Sequence, residues 1–166
     1  MKRKISSILD EFFTNKVLEE TLQRVDQELE SPEYHPRFVR EGISVAIKKR
    51  PPHCHNQFSL LIEYLFDRDV VSAEDIGRGC ILYATSLRGL FIGTADIFGE
   101  IIGDLLLARV LDLKVFNKIV AKVEDKSYKE AIISAAMKVV KTGDEIEALV
   151  EEFRVALSAC SSSRSF

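Results

Sequence analysis

Residues 94–111 read TADIFGEIIGDLLLARVL, and the rest of the chain is organised around them. Ile97, Ile101, Leu105 and Ala108 fall three or four residues apart, and so do Phe98, Ile102 and Leu106. Two adjacent apolar stripes of that period predict a helix buried over most of its circumference. Gly99 and Gly103 sit one turn apart on it. Each costs about 1 kcal/mol against Ala inside a helix, a loss that a neighbouring backbone packed close against the groove would offset. Glu100, Asp104 and Arg109 argue against a membrane span, because a charge near a bilayer centre is expensive. The stretch reads as the central core helix of a soluble protein.

Asp96, Glu100 and Asp104 are spaced i, i+4, i+8, which lines three carboxylates along the face that the apolar stripes leave over. Like charges at that spacing repel mildly, so the row has to face water or a basic partner. A solvated face is the commoner use of such a row. A docking surface is the functional one.

Working outward, 166 residues suit one domain with a sizeable core. Hydrophobic residues at 46% and charged ones at 30% give the balance of a soluble globular protein. A net charge of −3 gives no general reason to bind nucleic acid. Cys54, Cys80 and Cys160 are too scattered for a disulfide framework and point to a reducing compartment. The start, MKRKISSILDEFF, reaches Asp10 and Glu11 before any long apolar run, unlike a signal peptide. Its Lys2-Arg3-Lys4 could serve as a short nuclear signal, so the expected location is the cytoplasm, with the nucleus as a second place.

Ile5, Ile8, Leu9, Phe12 and Phe13 describe a first amphipathic helix ending near Asn15, which is placed to cap a second helix through Leu29. After Ser31-Pro32, Pro36 opens a third helix with Lys48, Lys49 and Arg50 at its negative end, and Pro51-Pro52 stops it. A fourth helix is expected over residues 56–66. Ser72 with Asp75 resembles a capping box for a fifth. The loop Arg88 to Gly93, RGLFIG, leads into the central helix. Beyond Asp112, Val115, Phe116, Ile119 and Val123 mark a short helix. Ser127 with Glu130 predicts a helix that Gly143 ends, and Asp144 with Glu147 a last one, with Ile146, Leu149, Val150, Phe153 and Leu157 inside. No stretch alternates like a strand. The expected fold is all-α, a HEAT-like stack of antiparallel helix hairpins, or α-solenoid. It would comprise a domain over residues 1–123, an added C-terminal hairpin over 124–160 and a disordered tail over 161–166.

Chemistry is sparse. His53-Cys54-His55 is the one dense group of ligand types, and a zinc site wants a second pair at a useful spacing that the chain lacks. No phosphate-binding glycine pattern is present. Lys48, Lys49 and Arg50 lack the aromatic interleaving of a single-strand binder. No catalytic residue, metal or cofactor is expected, and neither membrane nor direct nucleic-acid binding. A helical scaffold that binds protein remains.

ELESPEYHPRFVREGISVAI, then LLIEYLFDRDVVSAEDIGRGCILY, then ADIFGEIIGDLLLARVLD resemble, in order and spacing, successive helices of the MA-3 domain. That family includes the programmed-cell-death translation repressor and the scaffold of the cap-binding initiation complex. The resemblance covers residues 5–112. It implies a HEAT-like module that binds the DEAD-box helicase of translation initiation and so regulates cap-dependent translation. Family contacts run through acids in the loop before the core helix, in a pattern like Pro-Asp-x-x-Leu-Asp-x-Pro. Here Gly89 and Gly93 occupy the two acidic positions, and both prolines are absent. The expected contact is therefore Asp96, Glu100 and Asp104, with Leu90 and Phe91 as the apolar anchor. The alternative is a HEAT-like scaffold for a different protein in ribosome biogenesis or RNA processing.

Overall fold

The computed structural model describes residues 1–49, 54–87 and 92–163, with backbone alone at positions 92, 149, 153, 157 and 159–163. Among the described residues there is no strand. The helices are α1 (Lys2–Asn15), α2 (Leu18–Glu28), a 3-10 turn (Pro32–Tyr34), α3 (His35–Lys49), α4 (Cys54–Asp67), α5 (Ala73–Thr85), α6 (Ile92–Leu107), α7 (Leu113–Ala121) and α8 (Lys126–Ser163). No helix among the described residues is long and apolar enough to cross a membrane.

Two corners set the architecture, and they are the same corner. Two positions past the ends of α4 and α6 stands a left-handed residue, Asp69 at φ 59° and Arg109 at φ 60°. One position later, the Val70 and Val110 amides return to the Leu65 and Leu105 carbonyls, both at 3.0 Å. Ser72 then accepts from the Asp75 amide at 3.1 Å to cap α5, as Asp112 accepts from Val115 at 2.8 Å to cap α7. Leu65 and Leu105 are 40 positions apart (105 − 65). The buried pairs Phe58 and Phe98, Leu61 and Ile101, Ile62 and Ile102 keep that offset. A repeat of this length is one helix hairpin of a HEAT-like stack.

Helices two apart in the chain therefore lie parallel. On α6 and α8, Gly99 faces Ile132 and Ala135, Gly103 faces Ala136 and Val139, and Leu107 faces Gly143. On α3 and α5, His35 stands by Asp75 and Val39 by Gly79. His55 on α4 reaches Glu100 on α6. Two layers result, one of α3, α5 and α7, the other of α4, α6 and α8. The fold is an all-α, HEAT-like solenoid. The core helix is as the sequence predicts: Phe98, Ile101, Ile102 and Leu105 are fully buried, and its two glycines accept a close helix.

Several boundaries differ from expectation. Asn15 ends α1 rather than capping α2. Lys16 turns left-handed at φ 59°, its amide returns to the Phe12 carbonyl, and Val17 precedes α2 with no side-chain cap. α4 begins at Cys54, two residues before the expected start at 56, so Cys54 and His55 belong to it. α6 stops at Leu107 instead of Leu111 because the Arg109 corner breaks it. Asp125, not Ser127, caps α8, accepting from the Ser127 and Tyr128 amides at 2.8 and 3.2 Å.

The expected C-terminal hairpin is one helix. α8 runs through Gly143 for 38 residues, to Ser163. Gly143 is there for packing, since a Cβ would fall 2.5 Å from Leu107 Cδ1. Ile146 and Val150 are accordingly exposed and not inside, while the Leu149, Phe153 and Leu157 side chains lie outside the described ones. Residues 161–163 of the expected tail are helical backbone. Of the loop RGLFIG, residues 88–91 lie outside the described residues and 92–93 belong to α6.

Candidate functional site

α6 packs between α4 and α8, and the acidic row runs along its outward edge. Its three carboxylates end in different surroundings. Asp96 is exposed. Glu100 is half-buried, and its Oε2 lies 2.9 Å from His55 Nε2, which ties α6 to α4. Asp104 turns toward α4, where its Oδ2 is buried with no hydrogen-bond partner. Burial pushes the Asp104 carboxyl above the usual carboxylate range; the Ser59 hydroxyl and His55 pull it down, and Glu100 and Glu63 push it up.

Two open grooves flank this edge. Between α6 and α8 lies one of about 600 Å³, lined by Asp96, Glu100, Leu107, Lys138, Val139 and Ile146 among others. Between α4 and α6 lies one of about 410 Å³, where Ser59, Leu60, Glu63 and Asp104 meet. Leu60 is exposed there. The first groove joins exposed Asp96, half-buried Glu100 and Lys138 to an apolar floor, a combination that suits a protein side chain or helix better than a reaction centre. Leu90 and Phe91, the expected apolar anchor, lie outside the described residues.

Sequence reasoning placed Asp96, Glu100 and Asp104 on one face but missed their neighbours. In sequence His55 reads as a ligand type beside Cys54, and in the structure it pairs with Glu100. Ser59, Leu60 and Glu63 fall within the expected fourth helix, and their spacing alone gives them no role. The 40-residue offset that lays α4 beside α6 is the signal that would have found them. Cys80 on α5 is fully buried, and burial pushes its thiol up to about 12, so it offers no nucleophile to this face.

Residues 1–112 match the family model described as MA3 domain. The chain belongs to the MA3 domain family. No solved structure matches it. MA3 domains are helical protein-interaction modules of translation-related proteins. The matched span ends at Asp112, the cap of α7. The acidic edge of α6 thus lies inside the MA3 match, while the α8 wall of its larger groove lies beyond it.

Proposed function

We propose that the chain is a protein-binding adaptor that regulates translation initiation by engaging the DEAD-box initiation helicase along the outer edge of α6. The observation that carries this reading is the pairing of exposed Asp96 and half-buried Glu100 with the apolar floor of Leu107, Val139 and Ile146. DEAD-box domains hold RNA on basic surfaces, so a protein that engages such a surface presents carboxylates. Those charges speed encounter and fix orientation, while a desolvated apolar contact supplies most of the affinity. His55 holds the Glu100 carboxylate in place on the ridge. The setting of this activity is the cytoplasm, with the nucleus open to it through Lys2-Arg3-Lys4.

A second reading, a scaffold for a different protein in ribosome biogenesis or RNA processing, is favoured by Gly89 and Gly93 standing where family members carry their contacting acids. Affinity capture from lysate with quantitative mass spectrometry, run in parallel on wild type and Asp96→Lys/Glu100→Lys, separates the two. The helicase is expected with wild type and depleted with the variant. A different protein set, with the helicase absent from both, would favour the second reading.

A further inference from the structure

α8 is longer than the body it packs on. Ile132 and Ala136 in its first half are fully buried, and Leu107, the last residue of α6, seats on Gly143. From Asp144 the helix continues for 20 residues (163 − 143), or about 30 Å at the helical rise. Every side chain described there is exposed. Ile146 and Val150 are 55% and 53% exposed. They follow Val139 and Gly143 at steps of three and four residues, so they prolong the edge that α8 lays on α6. The backbone positions of Leu149, Phe153 and Leu157 fall on that same side.

The charge changes where the body ends. Up to Lys141, α8 carries Lys126, Lys129, Lys138 and Lys141 against Glu130. Beyond it come Asp144, Glu145, Glu147, Glu151 and Glu152 against Arg154, which is 3.5 Å from Glu151. An apolar edge between rows of carboxylates selects its occupant by charge. A second copy would set acid against acid if two projecting segments paired along it. A helix with the opposite flanks meets no such repulsion.

We propose that the projecting half of α8 is a docking rail for a basic amphipathic helix of a partner protein, lying along Ile146 and Val150 in continuation of α6. Apolar residues of that helix at three-to-four spacing would cover the stripe, and its flanking lysines or arginines would face Glu147 and Glu151. The site adjoins the groove beside α6 and shares Ile146 with it, but its occupant is argued from the charge of α8 alone and does not depend on the helicase reading.

The test uses two synthetic helical peptides of roughly 18 residues, enough to cover about 27 Å. Both carry Leu at three-to-four spacing, one with Lys elsewhere and one with Glu. Fluorescence anisotropy is measured against the full chain. The Leu/Lys peptide is expected to bind, and to bind Glu147→Lys/Glu151→Lys and Val150→Ser about ten-fold more weakly or worse. Val150 is chosen because Ile146 also lines the groove beside Glu100. All three sites are exposed, so both variants should keep the wild-type thermal transition. No binding by wild type, equal binding of the Leu/Glu peptide, or an unchanged affinity in either variant would overturn the proposal. So would a dimer in sedimentation that Val150→Ser abolishes, since the occupant would then be a second copy.

Discussion

Gly99→Ala places a methyl group where the backbone of α8 already stands. The new Cβ would lie 2.6 Å from the Ile132 carbonyl oxygen and 2.8 Å from the Ala135 Cβ. Ordinary contact begins at 3.4 Å, so α8 would have to retreat by 0.8 Å (3.4 − 2.6) at this point. A gap of that size forfeits about a quarter to a half of each dispersion contact along the seam. Overpacking of this kind typically costs about 1–3 kcal/mol, and Ala returns about 1 kcal/mol over Gly through helix propensity. The expected net loss is about 1 kcal/mol.

Gly103→Ala meets Val139 Cβ at 2.7 Å and the Ala136 carbonyl oxygen at 2.9 Å. One retreat of α8 relieves both positions, so the double variant should lose less than the sum of the singles. Gly103→Leu, too large for that retreat, should lose about 3 kcal/mol. Urea unfolding followed by circular dichroism reads all four proteins, with the slope checked for two-state behaviour. A midpoint that rises in Gly99→Ala, the sign that propensity alone gives an exposed glycine, would refute the close packing of α6 on α8.

Three further outcomes are expected. Leu105 is 1% exposed, and Leu105→Ala should cost about 2–5 kcal/mol in the same urea assay; a midpoint that hardly moves would remove α6 from the core. Asp104 has its pKa raised by burial, so the folded chain holds that proton more tightly than the unfolded one. Its ionisation therefore weakens the fold as pH rises above the ordinary carboxylate value of about 3.9. Asp104→Asn should have the higher thermal midpoint at neutral pH, with the difference shrinking toward pH about 4; parallel pH profiles would contradict the burial. A metal chelator should leave the thermal transition unchanged, because Cys54 is buried in α4 and His55 is paired with Glu100; a large fall would restore His53, Cys54 and His55 as ligands.

What was legible in the sequence was local or periodic. The three-to-four spacing of Ile97 to Leu106 predicted a buried helix, and Gly99 and Gly103 predicted a close neighbour, without saying that α8 would be that neighbour. The Ser72 cap was legible because its partner lies three residues away. Gly143 was misread because a glycine that ends a helix and one that admits Leu107 look alike in sequence, and the deciding side chain is 36 residues distant (143 − 107). The same limit applies to Asp104. Its row with Asp96 and Glu100 is a matter of spacing, but its burial comes from α4, one repeat earlier. The repeat itself was open to inspection, since Leu65 to Ser72 and Leu105 to Asp112 share Leu, then Val, then a capping residue at equal steps. Ile146 and Val150 announced an apolar face and could not announce whether the chain covers it.

The central claim, helicase engagement by the carboxylate edge of α6, is tested most directly by calorimetric titration of purified initiation helicase into the chain and into Asp96→Lys/Glu100→Lys. Asp104 is left unchanged because its burial would mix folding with binding. Wild type should bind, with an affinity that falls as salt shortens the screening length from about 8 Å at physiological strength to about 3 Å at 1 M. The variant should bind about ten-fold more weakly or worse while still unfolding cooperatively, its midpoint lowered only by the loss of the Glu100–His55 pair. No heat of binding with wild type, or equal affinity in the two proteins, would contradict the account.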